Sequence, residues 1–378
     1  MKKALFLTTI SGFLQQFEMN DVKILQEMGY EVHYASNFHN PVYEVNKEEL
    51  RNKGIILHQV GIQKSPKQIF KNLKAFFQVR KIIVKEKIDM IHCHNPMGGV
   101  IGRLVTLGLK KRVVVIYTAH GFHFYKGAPI INWLIYFPVE WLLAKITDWL
   151  ITINKEDYTV ATKYRFKNID RIEWIPGVGI LNNRFAPVDG RRDEARRELN
   201  IPNDVFFVLS VGELNKNKNH KVIMQAIAKL ENPKIYYGIC GRGPMEAELQ
   251  DIADELCIAK QVTLFGFRND IPRMLAAADC FAFPSKREGL GIAALEAMAA
   301  GIPLITSDCR GTREYMKHGM NGLVCKSGTA EEYANAIKKM YEQADMRKKM
   351  SQKCLKTAEE FDVSVTDKIM RTVYRNLS

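Results

Sequence analysis

Ten short apolar runs, separated by helix-length segments, constrain what this chain can become. In the first half they fall at 4–9, 31–35, 90–92, 113–118 and 149–153; in the second they fall at 205–211, 235–240, 262–265, 280–283 and 303–306. Short apolar strands joined by helices imply βαβ units, and therefore parallel sheets covered on both faces. A chain of 378 residues is long for one hydrophobic core and natural for two such domains. The run Ile175-Pro176-Gly177-Val178-Gly179 closes the first series, and a charged stretch beginning at Asp189 opens the second. The expected architecture is α/β, with two parallel-sheet domains at 1–183 and 184–360 and a terminal helix at 361–378 covering their junction. Ligands of such sheets sit beyond the carboxyl ends of the strands, so facing domains predict a cleft between them.

Composition narrows the partners. The seven cysteines form no CxxC pair, and several fall inside apolar runs, as small buried side chains do in a reducing compartment. The opening MKKALFLTTI has a very short apolar run with glutamines soon after, which predicts a first strand rather than a leader. No stretch offers roughly eighteen uninterrupted apolar residues, so no spanning helix is expected. The formal charge of +14 is uneven, with 26 Lys/Arg against 15 Asp/Glu in residues 1–187. That half favours anionic partners. No nucleic-acid-reading motif accompanies the charge, so no nucleic acid is expected.

The chemistry is densest at 283–301, FPSKREGLGIAALEAMAAG. Its carboxylates, Glu288 and Glu296, would lie on the order of 12 Å apart if most of the interval were helical. That exceeds the spacing of a glycosidase pair and suits a long ligand with hydroxyls at both ends and a negative middle. Ribose, diphosphate and hexose in a nucleotide-sugar have that form. Backbone N–H groups around Gly289, Leu290 and Gly291 would open the helix and face the diphosphate.

EGLGIAALE at 288–296, SVGELNKNKNH at 210–220, GRGP at 241–244 and GTREYMKHGMNGLV at 311–324 recur in order with HCHNPMGG at 92–99 and TAHGFHFY at 118–125. Together they resemble the family 4 retaining glycosyltransferases of GT-B fold, with two facing Rossmann-like domains, in particular those that build bacterial exopolysaccharide or capsule. The resemblance covers essentially the whole chain. It implies that Glu296 receives the donor ribose hydroxyls, that Glu288 reaches hydroxyls of the transferred sugar, and that Lys218 neutralises the leaving diphosphate. It sets His120 near the anomeric centre, with His123 as the second choice. Arg242 in its glycine turn, Arg268 beside the nucleobase and Gly12 in the loop after the first strand complete the expected donor contacts. Asn95, Met97 and Gly98 follow the third strand and could line the same side of the cleft, or form a plain turn at Pro96. The sequence departs from the family at Glu213, where arginine is usual. Lys216, Arg242, Arg268 or Arg310 could supply the missing cation, or Glu213 could orient Lys218 by an ion pair.

The resemblance implies a hexose or N-acetylhexosamine moving from a nucleoside diphosphate sugar, expected to be UDP-linked, with retained configuration and no cofactor. Without a DxD pair, no nucleotide-binding metal is expected. The expected acceptor is a polyprenyl-diphosphate-linked saccharide. A soluble acceptor and a catalytically silent glycan-binding or assembly role are the competing readings. The stretch 63–87 carries eight Lys/Arg and one acidic residue among aromatics and aliphatics. That is the pattern of an interfacial helix, and equally of a crossover helix with solvated cations. Aromatic-rich 122–149 is a second candidate surface. The expectation is a cytoplasmic protein, peripheral at the inner face of the membrane through its N-terminal domain.

Overall fold

The computed structural model describes residues 1–39, 45–187 and 190–377; Asp189 and Ser378, named above, lie outside them. The chain forms two compact units. The first, Met1–Val178 with Ser364–Ser378, contains β1 (Lys3–Leu7), β2 (Glu31–Ser36), β3 (Ile56–Gln59), β4 (Met90–His94), β5 (Val114–Ala119), β6 (Trp149–Thr152) and β7 (Ile172–Trp174). They form one parallel sheet in the order β3-β2-β1-β4-β5-β6-β7. The second, Gly179–Val363, contains β8 (Phe206–Val211), β9 (Ile235–Cys240), β10 (Val262–Gly266), β11 (Cys280–Phe283), β12 (Leu304–Ser307) and β13 (Gly322–Cys325). These are also parallel, in the order β10-β9-β8-β11-β12-β13.

Both sheets follow from the apolar runs. Leu5, Leu7, Ile91, Val115 and Leu150 pack with Val79, Ile83 and Ile101 in the first core. Val208, Ile239, Cys280 and Ile305 pack with Ile223, Ile227 and Ile337 in the second. Six of the seven cysteines are buried, none is bridged, and Cys257 alone is exposed.

The strand order reverses beside the first strand of each unit, between β1 and β4 and between β8 and β11. Such switch points open a crevice at the carboxyl ends of the strands, where two loops diverge. They are where the candidate residues gather.

The two compact units divide at Val178/Gly179. Ile180 exchanges backbone hydrogen bonds with Phe361 and Val363, and Gly179 leaves no room for a Cβ against Val363, which ties this turn to the second unit. The terminal helix, Val363–Arg375, belongs to the first unit from Ser364 onward. Its Tyr374 hydroxyl donates to Asp21 Oδ2 at 2.9 Å and lies 2.9 Å from His92 Nδ1, and Thr366 donates to the Gly177 carbonyl.

Candidate active site

In the second unit the loops after β8 and β11 are stitched together by asparagines. Asn215 Oδ1 accepts from the backbone N–H groups of Asn217 and Lys218, each at 3.0 Å. The Asn217 carbonyl accepts from the Lys286 N–H at 2.8 Å, and its Nδ2 donates to the Arg287 carbonyl at 2.9 Å. This scaffold delivers Lys218 Nζ to Glu288 Oε1 at 2.7 Å, with both side chains largely buried. The ammonium also stands 5.0 Å from the Phe283 ring centroid. Lys218 therefore pairs with Glu288, and the alternative in which Glu213 orients it does not hold. Glu213 is exposed.

Glu288 lies in a loop, because the helix begins only at Ile292 and runs to Ala299. The helical estimate of the Glu288–Glu296 spacing therefore does not apply. Gly291 forms the N-cap with φ +94°, and no side chain caps the helix. A Cβ there would come within 2.8 Å of the Phe283 ring and 2.9 Å of the Tyr315 hydroxyl. Glycine at 291 is thus demanded by both backbone and space, and it leaves the helix N-terminus to backbone N–H groups alone. Leu290 is buried and anchors the loop, while Gly289 is half-buried. Glu296 sits in the second turn of the helix. Burial pushes its carboxyl up to about 7, with Arg184 pulling the other way.

The GRGP turn packs on the β8 loop, where the Leu214 N–H donates to the Arg242 carbonyl at 3.0 Å. The Arg242 side chain is exposed, 5.8 Å from the Phe267 ring. Arg268 forms a two-pronged pair with Asp270, at 2.8 and 2.6 Å, just before the helix Ile271–Ala277. That hydrogen bonding holds the Asp270 carboxyl below its usual range. Arg310, after β12, is buried.

In the first unit, Gly12 is buried and leads into the short helix Phe13–Phe17. The loops after β1 and β4 are joined by Thr9, whose N–H donates to Asn95 Oδ1 and whose hydroxyl accepts from the Gly98 N–H. His92 and His94 share one face of β4, since alternate strand residues do. His94 Nδ1 lies 3.2 Å from His120 Nε2. Glu18 Oε1 stands 3.4 Å from the first nitrogen and 3.7 Å from the second, and the Phe13 ring meets His120 edge-on at 4.7 Å. Burial lowers the His120 imidazole to about 4 and His94 well below its ordinary value. It raises the Glu18 carboxyl well above its own, with Asp21 adding to the effect. His123 stands apart, its ring 4.7 Å from Tyr136. The sequence singles out His120 but not Glu18 or His94, which the structure brings beside it. The alternation His92-Cys93-His94 at a strand's carboxyl end was the available signal.

The sequence profile of the glycosyl transferase 4-like family matches residues 3–154, and that of glycosyl transferases group 1 matches 191–357. EpsD of Bacillus subtilis (strain 168), named as a glycosyltransferase, is 36% identical over 377 residues, covering 99% of this chain and 96% of that protein. The Escherichia coli UDP-Gal:alpha-D-GlcNAc-diphosphoundecaprenol alpha-1,3-galactosyltransferase is 30% identical over 274 residues, 71% of this chain and 70% of its own length. In fold, the chain is similar to Anabaena HepE crystallised with UDP-glucose, at TM-score 0.80 and 19% identity over the full length of both. Each family profile thus spans one of the two switch-point sites, and the full-length relative joins them in one chain. This protein belongs to the GT-B glycosyltransferases of the group 1 and 4-like type.

Proposed function

We propose that the enzyme transfers a hexose or N-acetylhexosamine from a UDP-sugar to a polyprenyl-diphosphate-linked saccharide in exopolysaccharide or capsule biosynthesis. The observation that carries this reading is the Lys218–Glu288 pair, at 2.7 Å, beside an uncapped helix N-terminus at a switch point. Lys218 and the helix N–H groups are suited to the charge that grows on a departing diphosphate. Glu296 binds the ribose hydroxyls, Glu288 the hydroxyls of the transferred sugar, and His120 acts near its anomeric carbon. Arg242, Arg268 and Gly12 are secondary contacts. The incoming hydroxyl attacks the anomeric carbon on the face the diphosphate leaves, and the leaving phosphate takes its proton. The similarity to the Escherichia coli diphosphoundecaprenol galactosyltransferase supports both the donor and the lipid-linked acceptor.

The same reading places the protein at the cytoplasmic face of a membrane. Among the described residues no helix is long and apolar enough to cross one. The helix Ile69–Glu86 buries Ala75, Val79 and Ile83 but leaves Ile69, Phe70, Leu73 and Phe77 exposed, Phe70 at 87%. Lysines at 67, 71, 74 and 81 flank them. The helix Ile130–Lys145 exposes Ile130, Ile131, Leu134, Ile135 and Leu142, an apolar stripe at helical spacing. Exposed apolar surface next to cations is the signature of interfacial binding to anionic lipid. The test offers a panel of nucleotide-sugars with short lipid-diphosphate saccharides, following nucleotide release and product mass. Transfer from a UDP-sugar is expected. Well-folded protein giving neither transfer nor donor hydrolysis would overturn the proposal.

A further inference from the structure

The largely buried cluster Glu18–His94–His120 contains more than the single histidine the reaction calls for. Three lone-pair-bearing atoms, Glu18 Oε1, His94 Nδ1 and His120 Nε2, face one another at 3.2, 3.4 and 3.7 Å. Such a convergence needs a proton or a cation at its centre. The protons can be placed from the surroundings. His94 Nε2 is buried without a hydrogen-bond partner, and an orphaned buried N–H is costly, so the His94 proton belongs on Nδ1. There it donates to His120 Nε2, which must then be an acceptor, leaving the proton of His120 on its Nδ1. Glu18 Oε1 has no hydrogen bond of its own and sits 3.4 Å from His94 Nδ1, where an oxygen lone pair favours a proton on that nitrogen.

Neighbouring groups do not compete for this proton. His92 is occupied by the Tyr374 hydroxyl at 2.9 Å and by Thr118 Oγ1 at 2.8 Å, and Asp21 accepts from Tyr374. A metal ion fits the cluster less well. Metal-bound histidines almost always donate their second ring N–H to a partner, and His94 Nε2 has none. We propose that Glu18 and His94 are positioning residues for His120, fixing its ring in the Nδ1–H tautomer and in orientation. The inference rests on the reading of His120 as the residue that serves the transferred sugar.

Imidazole nitrogen NMR on histidine-labelled protein reads the tautomer directly. His120 is expected as Nδ1–H in the wild type and as mainly Nε2–H in His94→Leu; a wild-type Nε2–H form would overturn the inference. Kinetics supply the coupling. Loss of a partner that orients a histidine typically costs tenfold or more, so Glu18→Gln should lower kcat by about 10-fold, with donor KM little changed. In a His120→Ala background the same change should cost less than about twofold, because residues acting as a unit are non-additive. His94→Asn, whose amide can replace the Nδ1–H, should retain more activity than His94→Leu. Equal costs of Glu18→Gln in both backgrounds would overturn the positioning role and leave His120 as read. Wild-type turnover in His120→Ala would remove the reading itself. Chelator-treated enzyme that loses activity and regains it with Zn²⁺ alone would show a metal site instead.

Discussion

Lys218→Met removes one charge while its flexible apolar stem can keep the place beside Phe283. The structure attaches two separable costs to that change. The ammonium lies 2.7 Å from Glu288 Oε1, with side-chain exposures of 20% and 14%, so the pair is more desolvated than a surface ion pair. Stranding the Glu288 carboxylate should cost about 1–3 kcal/mol of stability, seen as a fall of several degrees in Tm. The second cost is kinetic. If Lys218 faces the departing diphosphate as proposed, removing its charge should lower kcat by about 10²–10³. Adding Glu288→Gln separates the two, since neutralising both partners of a pair removes most of the penalty for stranding one. The double variant should recover most of the lost Tm, measured by scanning calorimetry, yet kcat with a UDP-sugar should stay low. A Lys218→Met enzyme with reduced Tm but kcat within about threefold of wild type would refute this reasoning. Lys218 would then be only a structural partner of Glu288.

Glu296→Ala should weaken binding of free UDP by about 10- to 100-fold in isothermal titration, because it removes the proposed acceptors for the ribose hydroxyls. Glu296 also predicts a pH dependence. Its carboxyl is raised from 4.5 to about 7 in the folded protein, so its ionisation penalises the fold as pH climbs through that window and not below it. Glu296→Gln should accordingly raise Tm more at pH 8 than at pH 4, and an equal shift at both would contradict the burial argument. His120→Ala should depress turnover while leaving UDP affinity nearly intact, and His123→Ala should do less; a larger loss for His123 in initial-rate assays would reverse the assignment. Replacing Lys67, Lys71, Lys74 and Lys81 with glutamine should reduce co-sedimentation with anionic vesicles and transfer to lipid-linked acceptor while donor hydrolysis persists. Wild-type behaviour in all three would make those lysines solvated cations of a crossover helix.

The strands that the apolar pattern missed share one physical position. β3, β7 and β13 are edge strands, and β3 and β7 are partly exposed along their length. β3 and β7 lack the unbroken apolar run that marks a strand covered on both sides, whereas the remaining edge strand, β10, keeps enough of one to be read. β13 is short and opens on Gly322, which further masks its signal. Glu296 and the glycine loop were legible because they sit in one contiguous motif. The Lys218–Glu288 pair was not, since the partners are 70 positions apart and meet only because β8 lies next to β11. Sequence proximity suggested Glu213 instead. The Glu18–His94–His120 cluster was hidden for the same reason, as three segments converge on it from β1, β4 and β5.

The most direct test of the account is a crystal structure of the protein with UDP. The account predicts ribose hydroxyls within hydrogen-bond reach of the Glu296 carboxylate and a diphosphate oxygen within about 3 Å of Lys218 Nζ. It also predicts diphosphate contacts with backbone N–H groups at the start of the helix Ile292–Ala299. UDP bound with neither Glu296 nor Lys218 in reach would contradict the proposed donor site.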